Sequence, residues 1–200
     1  MNQKRKFYAY TIPSTGAKGV TDVWAECEKF VKGVKGSRFQ GFKTRAEAEV
    51  WLKGGAAYRV REPAPPGVYF DAGTGRGDGV EINVTDHHGK SLLGLVLPKA
   101  KITKFGTHGL WNATNNYGEL LACKYALDVA EKTGVKTVYG DSKLIIEYWS
   151  RGIIKRKEVA QETVKLADVV VLVRRKFETG GGKIVRISGD DNPADLGFHR

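Results

Sequence analysis

Asp71, Glu119, Asp141 and Asp195 are the residues of this chain whose type and placement could do chemistry. Val68-Tyr69-Phe70 runs apolar up to Asp71, and Val138-Tyr139-Gly140 does the same before Asp141, with Ser142 opening a helical pattern. Each acid is expected at an end of a strand or on the first turn of a helix, with Asp71 and Asp141 at a sheet's edge. Carboxylates gathered from such positions offer oxygen donors alone. That set suits Mg2+, which prefers oxygen and retains waters, better than zinc. Two such ions roughly 3.5 to 4 Å apart can activate a water and relieve charge on the transition state and leaving oxygen of a phosphodiester. Taken singly, the acids also have structural readings: Asp71 as a turn residue before Gly73, Glu119 as a first-turn charge favoured by the helix dipole, Asp141 or Asp195 as an N-cap. All four together favour the metal.

The elements that must position them fall on two sides of Arg59-Val60-Arg61-Glu62-Pro63-Ala64-Pro65-Pro66, which has three prolines in its last four residues and should be extended and semi-rigid. This places a linker at 59–66, a small domain at 1–58 and a larger one at 67–200. In the small domain, residues 7–12 and 38–42 read as strands, and 23–31 and 46–52 as short helices. Thr44 with Glu47 matches a capping box at the second helix. In the larger one, residues 67–72, 81–86 and 91–97 read as strands, the last two joined by the turn His87-His88-Gly89-Lys90. Leu120, Cys123, Leu127 and Ala130 recur at helical spacing, with Thr114 or Asn115 as cap, Gly134 as stop and Glu119 on the first turn. Residues 135–139 read as a strand, 144–149 as a short helix and 184–187 as a last strand. Thr163, Leu166, Val170, Val173 and Phe177 form a helical stripe, although Val169 to Val173 is β-branched enough to suit a buried strand; helix is the reading adopted. Consecutive strands, then helix, strand, helices and strand suit a mixed sheet covered by helices.

The net charge is +11 with a pI near 9.6, which favours a polyanionic partner such as nucleic acid. Residues 1–58 carry 11 basic and 5 acidic side chains, so the small domain is the more basic per residue. A merely soluble surface is the plainer explanation of the same lysines. No apolar run approaches the roughly 20 residues that span a bilayer, and the charged start is not followed by a signal-peptide core, so a cytoplasmic, non-membrane protein is expected. Cys27 and Cys123 each fall inside an expected helix and read as buried free thiols. The glycines of residues 72–79 read as a flexible hairpin turn rather than a phosphate cradle, because no helix follows to aim its NH groups. Tyr125, Tyr148 and Trp149 read as core or groove-wall residues, and His87, His88 and His108 as solvated loop histidines.

From Gly67 on, the chain resembles type 1 ribonuclease H. Thr114-Asn115-Asn116-Tyr117-Gly118-Glu119-Leu120 looks like that family's T-N-N-x-x-E-L, Tyr139-Gly140-Asp141-Ser142 like its strand-ending [TS]-D-S, and Asn192-Pro193-Ala194-Asp195 like its N-x-x-A-D. The leading piece resembles the small hybrid-binding domain found ahead of such enzymes and in caulimovirus inclusion-body proteins. Phe7-Tyr8-Ala9, Gly19-Val20, Trp24-x-Glu26-Cys27, Arg38-Phe39 and Gly41-Phe42 carry that match. The resemblance implies an α/β fold: a ribonuclease H-like mixed five-stranded sheet flanked by helices, preceded by a small α/β hybrid-binding domain. It implies that Asp71 bridges two Mg2+ ions, with Mn2+ as an alternative, that Glu119 and Asp141 complete the leaving-group side, and that Asp195 helps hold the ion on the nucleophile side. Asn115 and Asn116 would sense ribose 2′-hydroxyls in the wide minor groove, Thr114 would bind phosphate, and Lys143 stands where the family often has Gln. Trp24 and Phe39 would pack on the DNA sugar backbone, with Tyr8 as a further contact; Gln40 and Gly41 replace the usual lysine pair, for which Arg38 or Lys43 would compensate.

Ser188-Gly189-Asp190-Asp191 runs almost directly into Asn192, without the Gly-His loop of many family members. Asp190, Asp191 or His199 are the residues that would stand in for its histidine. The basic, Trp-rich protrusion of bacterial relatives is reduced to the short cluster at 153–157, so the leading domain would take over binding. The expected activity is hydrolysis of the RNA strand of an RNA/DNA hybrid by a monomer, leaving 5′-phosphate and 3′-hydroxyl ends. The rivals are a non-catalytic binder of hybrid or double-stranded RNA, and another nuclease of the same fold.

Overall fold

The structure is a computed structural model describing residues 6–56, 63–74 and 79–196. The chain divides into two compact units, one ending at Val60 and the other beginning at Arg61. The first half of the linker, the glycine-rich segment 75–78 and His199 lie outside the described residues.

In the first unit, β1 (Phe7–Ile12) is the centre of a three-stranded antiparallel sheet among the described residues, flanked by β2 (Ala17–Thr21) and β3 (Arg38–Phe42). The sequence reading had no strand at β2. Its signals are weak: Gly16 turns the chain at φ 73, and Gly19 interrupts the run. Gly19 is needed there because Tyr10, its register partner, lays its ring over it; a Cβ would meet the Tyr10 hydroxyl at 2.8 Å. Helix α1 (Trp24–Val31) has no side-chain cap at Val23. Its entry is fixed instead by Thr21, whose hydroxyl accepts from Val23 N at 3.1 Å and donates to Glu26 at 2.6 Å. Helix α2 (Arg45–Lys53) starts with the expected capping box: Thr44 Oγ1 accepts from Glu47 N, and Glu47 Oε2 accepts from Thr44 N. Ala9, Cys27, Val31 and Ala48 form this unit's buried centre.

In the second unit, the described strands form one mixed sheet in the order β6 (His108–Leu110), β5 (Val80–Thr85), β4 (Val68–Gly73), β7 (Thr137–Gly140) and β8 (Lys183–Arg186). Central β4 pairs antiparallel with β5 and parallel with β7, which pairs parallel with β8. Helices α3 (Asn115–Thr133) and α4 (Gln161–Thr179) supply the crossovers that parallel pairing demands. Val68, Phe70, Ala72, Ile82, Leu120, Leu127, Val138 and Val170 share one core. Thr114 caps α3 by accepting from Tyr117 N at 3.2 Å, and Gly134, at φ 76, ends it. The stripe in α4 is a helix throughout: Thr163, Ala167, Val170 and Arg174 repeat at helical spacing on the buried side. Both cysteines are buried free thiols. No helix among the described residues is long and apolar enough to cross a membrane.

Three expectations need correcting. Residues 91–97 are not a strand: Ser91 makes one bridge to Thr85, and Leu93–Leu95 then turns as a 3-10 helix. That run is leucine-rich, carries Gly94 and has Val96 as its single β-branched residue, which is little to hold a pleat, and the turn drops Leu93 into the core. The outer strand is β6 (His108–Leu110), so His108 stands on a strand, its ring bonded to Lys101 O at 2.9 Å, and is no loop histidine. The short helix after Asp141 is a π-helical turn, Leu144–Tyr148, running into the 3-10 turn Trp149–Arg151. Trp149 is buried there while Tyr148 is exposed.

Gly118 lies where α3 crosses the sheet, and a Cβ on it would collide with Val80 Cγ1 and stand 3.3 Å from Ala72 Cβ. Overpacking outweighs the intrinsic preference of helices for alanine, about 1 kcal/mol. Gly118→Ala should therefore lose about 1–3 kcal/mol in urea denaturation; an unchanged or raised midpoint would contradict this packing.

Candidate metal centre

The last residues that pair β4 with β7 are Tyr69 and Tyr139, whose rings stack at 4.7 Å. Asp71 and Asp141 each come two residues later, so parallel register brings them to matching positions where the two strands separate. A crevice at the carboxyl ends of neighbouring parallel strands, beside a change in strand direction, is where open α/β sheets bind ligands. Glu119 reaches the same place from α3. Because Thr114 is the cap, Glu119 is the fifth helical residue and begins the second turn rather than standing on the first. It is buried, which removes the reading of a solvated charge at the helix dipole. Asp71 is the fourth of six residues in the central strand, not at an edge of the sheet.

One carboxylate oxygen from each of Asp71, Glu119 and Asp141 lies within 4.8 Å of the others. Asp195 is not one of this trio. It follows the 3-10 turn Gly189–Asp191 in irregular chain, at neither a strand end nor a helix start, and its charge is the weakest of the influences on Asp71. Burial, and then the charge of Asp141, push the Asp71 carboxyl up to about 7, against backbone NH donors from Leu196 and Ala72. Burial, then the charges of Asp71 and Asp141, push Glu119 up to about 8. Glu119 Oε2 is buried and without a hydrogen-bond partner. A buried carboxylate oxygen normally has one. An orphaned oxygen on a carboxylate that has two further carboxylates close by fits a cation ligand, and the all-oxygen donor set fits a hard divalent ion.

The segment around Asp195 is tied to β4 by residues whose role the sequence did not reveal. Asn192, fully buried, donates through Nδ2 to Phe70 O at 3.0 Å and accepts from Ala194 N at 3.0 Å. Asn83, the register partner of Asp71, donates to Ala194 O at 2.9 Å. Leu196 N donates to Asp71 Oδ2 at 3.3 Å. On the other side, the irregular turns after Asp141 are held by buried Arg174, which donates to Ile146 O and to Ser150 Oγ, each at 2.6 Å, and pairs with Glu178 at 2.8 Å. The only clue to Arg174 in sequence is an arginine on the apolar stripe of α4.

The expected substrate contacts of this unit surround the start of α3 and the end of β7. Thr114 and Asn116 are exposed, while Asn115 is half-buried with its Oδ1 enclosed and unpartnered. Lys143 is exposed and 3.8 Å from Glu147, which also lies 3.6 Å from Arg186. In the first unit, described by itself, Trp24 joins two expected residues: its ring centroid is 5.3 Å from that of Tyr8 and 5.4 Å from that of Phe39. Arg38 is exposed and donates to Ala56 O at 3.4 Å. Tyr10 and Phe30 add a stacked pair at 4.7 Å, with Phe30 about half exposed, which the sequence reading did not single out. Residues 6–52 match the protein family described as the Ribonuclease H1 N-terminal domain.

Asp71 and Glu119 hold protons more tightly folded than unfolded. In metal-free protein their contribution to stability is therefore greatest below their ordinary values, 3.8 and 4.5, and is lost as pH rises through about 7 and about 8. A divalent ion competes with those protons. Titration calorimetry with Mn2+ should show affinity rising from pH 5 to pH 8 with proton release, and metal-free melting temperature falling over the same interval. Affinity and stability both flat across that range would refute the electrostatics described.

Proposed function

We propose that the protein is an endonuclease that hydrolyses the RNA strand of RNA/DNA hybrids with Mg2+, or Mn2+ in its place, at a two-metal site of ribonuclease H type. The observation that carries this reading is the convergence of Asp71, Glu119 and Asp141 at the carboxyl ends of β4 and β7, in a chain whose residues 6–52 match the Ribonuclease H1 N-terminal domain. Residues 1–58 would serve as the hybrid-binding domain and 67–200 as the catalytic domain, joined by 59–66.

Bound divalent ions supply an activated water and neutralise charge on the phosphate and leaving oxygen. The chain's own contribution is placement. Asp71, on the central strand, brings a carboxylate oxygen within 4.8 Å of oxygens of Glu119 and Asp141, and Asp195 follows in the segment that Asn192 pins to Phe70 O. The burial of Asp71 and Glu119 keeps those two carboxylates poorly solvated, so they lose little water on taking up cations. Asn115 and Asn116 would read 2′-hydroxyls from the start of α3, Thr114 would hold a phosphate, and Lys143 would take the minor-groove place where the family often has Gln. In the first unit the Tyr8-Trp24-Phe39 cluster offers apolar ring faces to a sugar-phosphate backbone, and Arg38 a cation. A second binding module linked in the same chain raises the local concentration of duplex by linkage. The scissile P–O3′ bond breaks as the water oxygen bonds phosphorus, leaving 5′-phosphate and 3′-hydroxyl ends.

A labelled RNA/DNA duplex tests the reading. Wild-type protein should cut only the RNA strand and only with a divalent ion. Asp71→Asn should bind the duplex normally and cut it roughly 10³-fold more slowly, about 4 kcal/mol of lost barrier lowering. Trp24→Ala should weaken duplex binding by about 1–3 kcal/mol while leaving the carboxylate site intact. Tight binding without cleavage by the wild type would instead identify a non-catalytic binder of hybrid or double-stranded RNA.

A further inference from the structure

Gly189 opens the 3-10 turn Gly189–Asp191, and its backbone does not explain why it is glycine: it is not among the residues with positive φ, so any amino acid could adopt its conformation. What a side chain there would meet is Asp141. A Cβ on Gly189 would stand 2.9 Å from Asp141 Oδ2 and 3.8 Å from its carboxyl carbon, and, its chain neighbours aside, no other described atom lies within 4 Å. Real Cβ atoms essentially never approach a neighbour so closely, so something must move.

The turn cannot readily retreat. Upstream, Ile187 N donates to Gly140 O at 2.9 Å, which continues the pairing of β8 with β7 up to the residue before Asp141. Downstream, Asn192 N donates to Gly189 O at 3.1 Å, and the Asn192 side chain is bonded to Phe70 O and Ala194 N. Both flanks of the turn are thus fastened to the strands that carry Asp71 and Asp141. The atoms a Cβ would meet are the side-chain end of Asp141, one of the three oxygen donors within 4.8 Å of one another, and not backbone.

We infer that Gly189 is a positioning residue for the metal centre: its missing side chain leaves the space in which the Asp141 carboxylate turns toward Asp71 and Glu119. This rests on the reading of the trio as a divalent-cation site. A methyl at 189 does not strain the backbone and displaces only a side-chain end, so the fold tolerates it and cation binding does not. The glycine therefore discriminates between a folded protein and a metal-competent one.

Calorimetric titration of the full chain with Mn2+ tests this without recourse to activity. Gly189→Ala should melt with the wild type and bind Mn2+ about 10–100-fold more weakly, the range expected when a group that orients a ligand is altered. Gly109→Ala, on β6 with open space around its Cβ and an ordinary φ, should bind as the wild type does. In an Asp141→Ala background, Gly189→Ala should cause no further loss, because the colliding group is gone. Unchanged affinity in folded Gly189→Ala would overturn the inference while leaving the metal site standing. So would a loss that persists without Asp141, or failure of Gly189→Ala to fold. A wild-type chain that takes up no Mn2+ would remove the metal reading itself, and this inference with it.

Discussion

Like charges held close together in a partly dry crevice repel one another, and the second unit is organised around tolerating that repulsion. Asp71, Glu119 and Asp141 come from a central strand, a helix and the end of a second strand, so no local preference of the chain gathers them; the parallel register of β4 and β7 and the seating of α3 on the sheet do. Burial and mutual repulsion push two of the three carboxyls to about 7 and about 8, and one oxygen of Glu119 has no partner. A fold selected only for stability would have relieved these conditions with a lysine, an arginine or a neutral isostere. Arg174 is buried close enough to be felt by Cys123, yet it is committed to Ile146 O, Ser150 and Glu178 rather than to the acids.

The surrounding bonds make sense in that light. Packing alone cannot hold mutually repelling side chains, and the supports here are hydrogen bonds to backbone atoms next to the acids: Asn192 to Phe70 O, Leu196 N to Asp71, and Asn83 to Ala194 O. Tyr69, stacked on Tyr139, also donates its hydroxyl to Pro65 O at 2.5 Å, which ties the end of the proline-rich segment to the sheet two residues before Asp71. The first unit solves a different problem. It is too small for a large core, and several of its aromatic rings are spent at the surface, where Trp24 and Phe30 remain over a third exposed.

Much of this was legible in the chain because it rests on local rules. The Thr44-Glu47 box, the Thr114 cap and Gly134 stop of α3, and the helical stripe of α4 each depend on residues within a few positions of one another. The apolar runs before Asp71 and Asp141 correctly marked the two parallel strands. What escaped depended on distant partners. β2 and β6 are short strands whose residues gain their conformation from β1 and β5, the π-helical turn is held by an arginine from another helix, and the place of Asp195 is set by Asn192 reaching Phe70. Gly189 looked like part of a shortened loop, and only the nearness of Asp141 gives its identity a reason.

The account stands on a divalent cation occupying the space between the three carboxylates, and locating that cation is its most direct test. Crystals of the full chain grown with Mn2+ and measured near the manganese absorption edge should show an anomalous peak at about 2.0–2.3 Å from oxygens of Asp71, Glu119 and Asp141. Crystals of good order that show no anomalous density there, or manganese bound only elsewhere on the surface, would contradict it.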